Sequence, residues 1–172
     1  MAIWQFSLDF IPRLKLIEYF GTIPKILDED VQCENSFEEG VILPKAYEQI
    51  LDILGSSEKL TWIEDTWSWG DYNKGSHLTI SRPNTVKASV FSRLDVTDWD
   101  EAFGRVVLNF SLLCDCVLLT GNKTVIEPEF NWLVEEVKRS NSYRFARNPV
   151  AYLQSDEVKR LNEEIRDKIT DE

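Results

Sequence analysis

The chain has 172 residues, 43% of them hydrophobic and 12% aromatic, and its 30 acidic side chains outnumber 19 basic ones for a net charge of -11. That length fits one domain with a sizeable core, and the composition excludes intrinsic disorder over most of it. The charge argues against nucleic acid and anionic membranes as partners, because both are held through clustered Lys and Arg; a protein with a basic surface fits the sign.

In "IWQFSLDF" the residues Trp4, Phe6, Leu8 and Phe10 alternate with Gln5, Ser7 and Asp9, the period of a half-buried strand. The opening "MAIWQFSLDFIPRLKLIEYF" lacks a basic leader and a small-residue cleavage site, so no secretory signal is expected. Pro12 suits the first turn of a helix through "RLKLIEYFG", with Leu14, Ile17 and Phe20 as its apolar face and Gly21 as its stop. Asp28, Glu29, Asp30, Glu34, Glu38 and Glu39 then meet no base after Lys25, which predicts a solvated acidic loop over 28–40. A second helix is expected from Pro44, with Ala46, Ile50, Ile53 and Leu54 sharing a face and Gly55 as cap.

After a tryptophan-rich segment, "HLTISRPNTVKASVFSRLDV" reads as two strands about Pro83 and Asn84, the second alternating through Val86, Ala88 and Val90. Thr97 is the expected N-cap of a strongly apolar central helix in "WDEAFGRVVLNFSLLCD", with Asp98, Asp100 and Glu101 in its first turn. "CVLLTGNKTVIEP" has the signature of a hairpin turning at Gly121 and Asn122. "PEFNWLVEEVKRS" sets Phe130, Leu133, Val134 and Val137 opposite Glu135, Glu136, Lys138 and Arg139, an amphipathic helix. "NPVAYL" gives one short helical turn, and residues 155–172 a charged helix with Val158, Leu161, Ile165 and Ile169 to bury.

The order predicts an α+β fold: a single domain over 1–172 with an antiparallel sheet of about four to six strands, covered by helices mainly on one face. Turns at 83–84 and 121–122 argue against a parallel sheet. The longest apolar run, around 106–119, is broken by Asn109, Ser111 and Asp115, so no membrane span is expected.

Three cysteines, Cys33, Cys114 and Cys116, are an odd count with the last two too close to bridge easily, which places the chain in a reducing cytoplasm. A one-residue spacing is not a zinc hook, and buried free thiols are the expected state. His77 is the only histidine and no nucleophile elbow accompanies it, so neither a Ser-His-Asp nor a Cys-His set is assembled. From Asp71, "DYNKGSHL" begins like a calcium loop, yet Gly75 is fifth rather than sixth and Arg82 stands where the bidentate Glu belongs. No glycine-rich phosphate cradle is present. No catalytic residue, metal or cofactor is therefore assigned.

Residues 61–78 concentrate the candidates: Trp62, Trp67 and Trp69 beside Glu64, Asp65 and Asp71, with His77 following. Two readings stand. Trp67 and Trp69 project to one side of an extended segment and cap a core edge, or they form an exposed pair of interface anchors. The acids beside the indoles also have a sugar platform's composition, though nothing fixes the separation between carboxylates. Arg93 and Asp95 share a strand face, where they fix a polar ligand or lie in solvent.

A short acidic chain with scattered tryptophans, an antiparallel sheet and no catalytic motif, containing "SWG" (68–70), "SRLD" (92–95) and "NPVAYL" (148–153), resembles small bacterial immunity proteins, which neutralise toxins by covering them. The resemblance implies a binding role and assigns no residue. The expectation is a non-enzymatic protein-interaction domain in which the acidic loop steers a basic partner toward Trp67 or Trp69. The alternative is a small-molecule-binding or hydrolase domain with Asp65, Asp71 and His77 as polar groups of a pocket between sheet and helices. The apolar Trp-bearing surfaces would also permit a homo-oligomer.

Overall fold

The computed structural model describes residues 4–61, 63, 65–73, 75–156 and 158–160, without the side chains of Glu29, Cys33 and Glu34. The alternating segment at the start becomes strand β1, Gln5–Pro12, and takes the middle of the sheet rather than an edge. Its neighbours are β5 (Ser89–Asp95) and β6 (Cys116–Thr120), both antiparallel, with Leu8 opposite Ser92 on one side and Thr120 on the other. Outward from β5 run β4 (His77–Ser81), β3 (Thr66–Gly70) and β2 (Glu58–Lys59), while β7 (Val125–Ile126) closes the far side, giving the order β2-β3-β4-β5-β1-β6-β7. The sheet therefore has seven strands, more than the four to six expected. Beyond the five strands named from the sequence, the additions are β3, which forms in the tryptophan segment, and β2, whose two residues are too short to show an alternating pattern and whose exposed Glu58 and Lys59 blunt the edge.

On the front face Phe6, Leu8 and Phe10 join Leu78, Ile80, Val90, Leu94 and Leu118 in the main core. Helix α4 (Glu101–Leu113) lays Phe103, Val107 and Phe110 on it, with the Phe10 and Phe110 rings 6.2 Å apart, and α5 (Phe130–Arg139) adds Leu133 and Val137. Asp100, not Thr97, caps α4 by accepting the Phe103 N–H. A second, smaller core lies on the rear face, where Ile11, Val117, Leu119 and Val125 meet Leu16, Leu27 and Phe37.

Four expectations change. Helix α1 (Arg13–Phe20), closed by Gly21 in the left-handed region, buries only Leu16, and the stripe of Leu14, Ile17 and Phe20 faces outward. The acidic segment is not a loop throughout: Asp28 accepts the N–H groups of Asp30 and Val31 and caps a helix, α2 (Glu29–Asn35), whose early acids suit the positive end of the helix dipole. Helix α3 (Tyr47–Leu51) starts late because Ala46 is left-handed at φ 57°, and it buries Leu51 while Ile53 points to solvent. Finally, α6 (Asn141–Arg147), capped by Ser140, precedes the expected short α7 (Pro149–Leu153), capped by Asn148. Most of the expected 155–172 helix, including Leu161, Ile165 and Ile169, lies outside the described residues. Among the described residues no helix is long and apolar enough to cross a membrane.

Candidate functional site on the rear face of the sheet

Side chains that point away from the main core form two polar rows across the rear face. The register places Gly70, His77, Arg93 and Ser7 in one row, and Ser68, Thr79, Phe91, Asp9 and Leu119 in the next. The second core covers one end of these rows. The rest is half-covered, so polar groups lie buried where the alternation alone would leave them wet.

His77 is fully buried, its ring 4.7 Å from that of Tyr72 and 6.3 Å from that of Phe91. Burial pushes its pKa down to about 4, the charge of Arg93 pushes the same way, and backbone oxygens of Gly75 and Asp71 oppose both. Neither ring nitrogen reaches hydrogen-bond geometry with a described residue. The imidazole is thus neutral at physiological pH. Arg93, directly opposite, lies over the Phe91 ring at 5.1 Å and leaves its buried Nε without a partner among the described residues.

Asp9 sits in the neighbouring row, on the side of its strand that alternation alone leaves exposed. Burial and the charge of Glu38 hold its carboxyl up at about 6, against a partial pull downward from Lys123. Lys123 itself donates to Gln32 at 3.0 Å. Glu38 reaches this place because the acidic segment folds back over the sheet: Phe37 anchors it in the second core, and Glu39 ends it in a bridge to Ser89 and an ion pair with Arg82 at 2.8 Å. One carboxylate oxygen of Glu38, Oε2, is buried without a partner among the described residues. Of the five buried side-chain polar atoms left in that condition, four belong to Glu38, His77 and Arg93. Asp9 feels the like charge of Glu38 more than the opposing charge of Lys123, so the spot favours an added positive charge.

The predicted site residues divide. His77 and Arg93 come together, and Asp71 lies beside them at the end of β3, exposed and accepting the Asn73 N–H in a tight turn. Asp95 shares the Arg93 face, but its Oδ1 accepts from the Thr97 N–H, the Thr97 hydroxyl and the Asp98 N–H, so it organises the turn leading to α4. Trp69 is 1% exposed and lies in the main core against the edge of Tyr47, which removes it as an exposed anchor. Trp67 is half-buried on the same front face with the Lys59 ammonium 5.8 Å from its ring centroid. The core-edge reading describes this pair. Trp62 and Glu64 lie outside the described residues. Asp65 and Asp71 flank β3 at opposite ends, and six steps at about 3.3 Å each separate them by roughly 20 Å; a hydrolytic set of Asp65, Asp71 and His77 does not share a cleft.

Cys114 and Cys116 are buried free thiols, and burial raises both pKa values, that of Cys114 to about 12. Among the described residues, no three of His, Cys, Asp and Glu gather as metal ligands. No protein-family model matches the chain, and neither a curated protein nor a solved structure does.

Proposed function

We propose that the chain is a non-enzymatic protein-interaction domain, and that its rear face receives a basic side chain of the partner between Asp9 and Glu38. The supporting observation is the incomplete acid pair: a carboxyl held up at about 6 beside a buried carboxylate oxygen that nothing described satisfies. A lysine or arginine entering there supplies the missing charge and donors, and a charge-assisted hydrogen bond to a carboxylate is about twice as strong as a neutral one. The net charge of -11 speeds the encounter with a basic surface. The resemblance to immunity proteins points the same way, toward a domain that covers its target.

The site binds its cation as the Asp9 carboxylate. Affinity therefore rises with pH up to about 6 and levels off above it. A titration with a short arginine-rich peptide, followed by NMR shifts of the full chain, tests this. Shifts at Asp9, Glu38 and Leu119, lost in Asp9→Asn, are the expected result. Binding of equal strength in Asp9→Asn, or shifts confined to other surfaces, overturns the proposal.

A further inference from the structure

Where α5 and α6 meet the end of β5, the helices do not close on the sheet. A slot of about 210 Å³ remains between Val96, Trp99, Val134 and Val137, with Tyr143 and Lys138 at its rim. The four deeper walls are apolar and offer water little in return. An engineered apolar cavity of about 150 Å³ stays dry and admits benzene, so this slot has room for an aromatic ring with a short tail or for a short alkyl chain. Lys138 and Tyr143 also border a second recess of about 370 Å³, which continues outward past Arg144, Arg147 and Tyr152. The apolar slot thus opens into a cationic vestibule.

The charge there runs against the rest of the molecule. Between Glu136 and Asp156 the sequence carries Lys138, Arg139, Arg144 and Arg147 and no acid, in a chain of net charge -11. Lys138 meets Glu135 at 3.4 Å in an exposed i,i+3 pair, a contact worth little in water. The Arg147 guanidinium lies 5.8 Å from the Tyr143 ring and that of Arg144 5.6 Å from the Tyr152 ring. Rings that restrain a guanidinium lower the entropy lost when its planar fork takes up an anion.

We infer that this slot and vestibule form a binding site for a small hydrophobic carboxylate, with the aryl or short alkyl body between Trp99, Val134 and Val137 and the carboxylate at Lys138 and Arg147. The site lies on the helical side of the sheet and does not depend on the Asp9 proposal. Calorimetric titration of the full chain with 3-phenylpropanoate, its neutral amide and inorganic phosphate separates the two parts of the recognition. The carboxylate is expected to bind, the amide at least about tenfold more weakly for want of its charge-assisted bonds, and phosphate alone not at all. Arg147→Gln, at an exposed position, is expected to lower carboxylate affinity about tenfold and leave the amide unchanged. Val134→Trp, which fills the slot, is expected to remove binding of both. Equal affinities for carboxylate and amide, an unaffected Arg147→Gln, or no binding of either ligand at about 10 mM overturns the inference.

Discussion

Replacing Asp9 by asparagine is expected to stabilise the folded chain at neutral pH while it weakens the binding proposed for the rear face. The carboxyl has its pKa raised from 3.8 to about 6 in the folded state. Between those values the folded chain keeps a proton that the unfolded chain has released, so stability drains away as pH rises through the window and the loss is complete above about 6. At about 1.36 kcal/mol per pKa unit the full effect is roughly 3 kcal/mol, and the partial solvent access of Asp9 reduces it to about 1–2 kcal/mol. Asparagine keeps the shape, carries no charge, and brings an amide donor to a place where Glu38 Oε2 has none. Urea unfolding of the two proteins from pH 3.5 to 8 measures the difference. Asp9→Asn should gain about 1–2 kcal/mol at pH 7.5 and nothing at pH 3.5. A loss of stability at pH 7.5, or a gain that does not vary with pH, refutes the reasoning.

His77 shows the opposite linkage. Its folded pKa is lowered from 6.5 to about 4, so the unfolded chain is protonated first and stability falls as pH drops through that window, by about 3 kcal/mol in all; in urea titrations His77→Leu should lose this slope whatever its offset at pH 7. At Gly70, where φ is +90°, an added Cβ would stand 2.4 Å from the Ser76 carbonyl oxygen; Gly70→Ala is expected to cost more than about 2 kcal/mol by scanning calorimetry, and an unchanged melting temperature would contradict the backbone geometry. Cys114 and Cys116, buried and with raised pKa values, should react with a thiol-disulfide reagent only at the rate of unfolding; rapid labelling of either in the native state would show the thiol to be accessible.

Where periodicity and turn chemistry agreed, the sequence could be read directly. Strand β1, the apolar α4, the amphipathic α5 and the hairpin at Gly121 and Asn122 appear where their patterns put them; the other hairpin forms too, but its second strand starts only at Ser89, and Val86 lies exposed in the connection instead of continuing the alternation. Helix α1 was legible as a helix but not in its orientation. Its start is tied down by the Arg13 N–H donating to the Asp115 carbonyl and by the Arg13 guanidinium pairing with Glu127, which turns Leu16 inward and the longer apolar stripe out. Helix α6 carries no apolar period in "NSYRFAR", and its position follows from a cap at Ser140 and a hydroxyl bond from Ser142 to the Gln5 carbonyl. Both are tertiary facts. Of the candidate site, His77 and Arg93 could be named from residue type, whereas Asp9 could not. Alternation says that Asp9 faces away from the main core, but not that the acidic segment thirty residues later folds over it.

The place of β1 between β5 and β6 also shapes how the protein is made. Strand β1 has both its neighbours far downstream, at Ser89–Asp95 and Cys116–Thr120. A nascent chain therefore carries an apolar ribbon with two open edges until β5 and β6 have both emerged, and pairings of such long sequence separation close slowly. The same placement makes the first dozen residues indispensable: without them the sheet falls into a four-stranded piece and a two-stranded remnant that share no hydrogen bond.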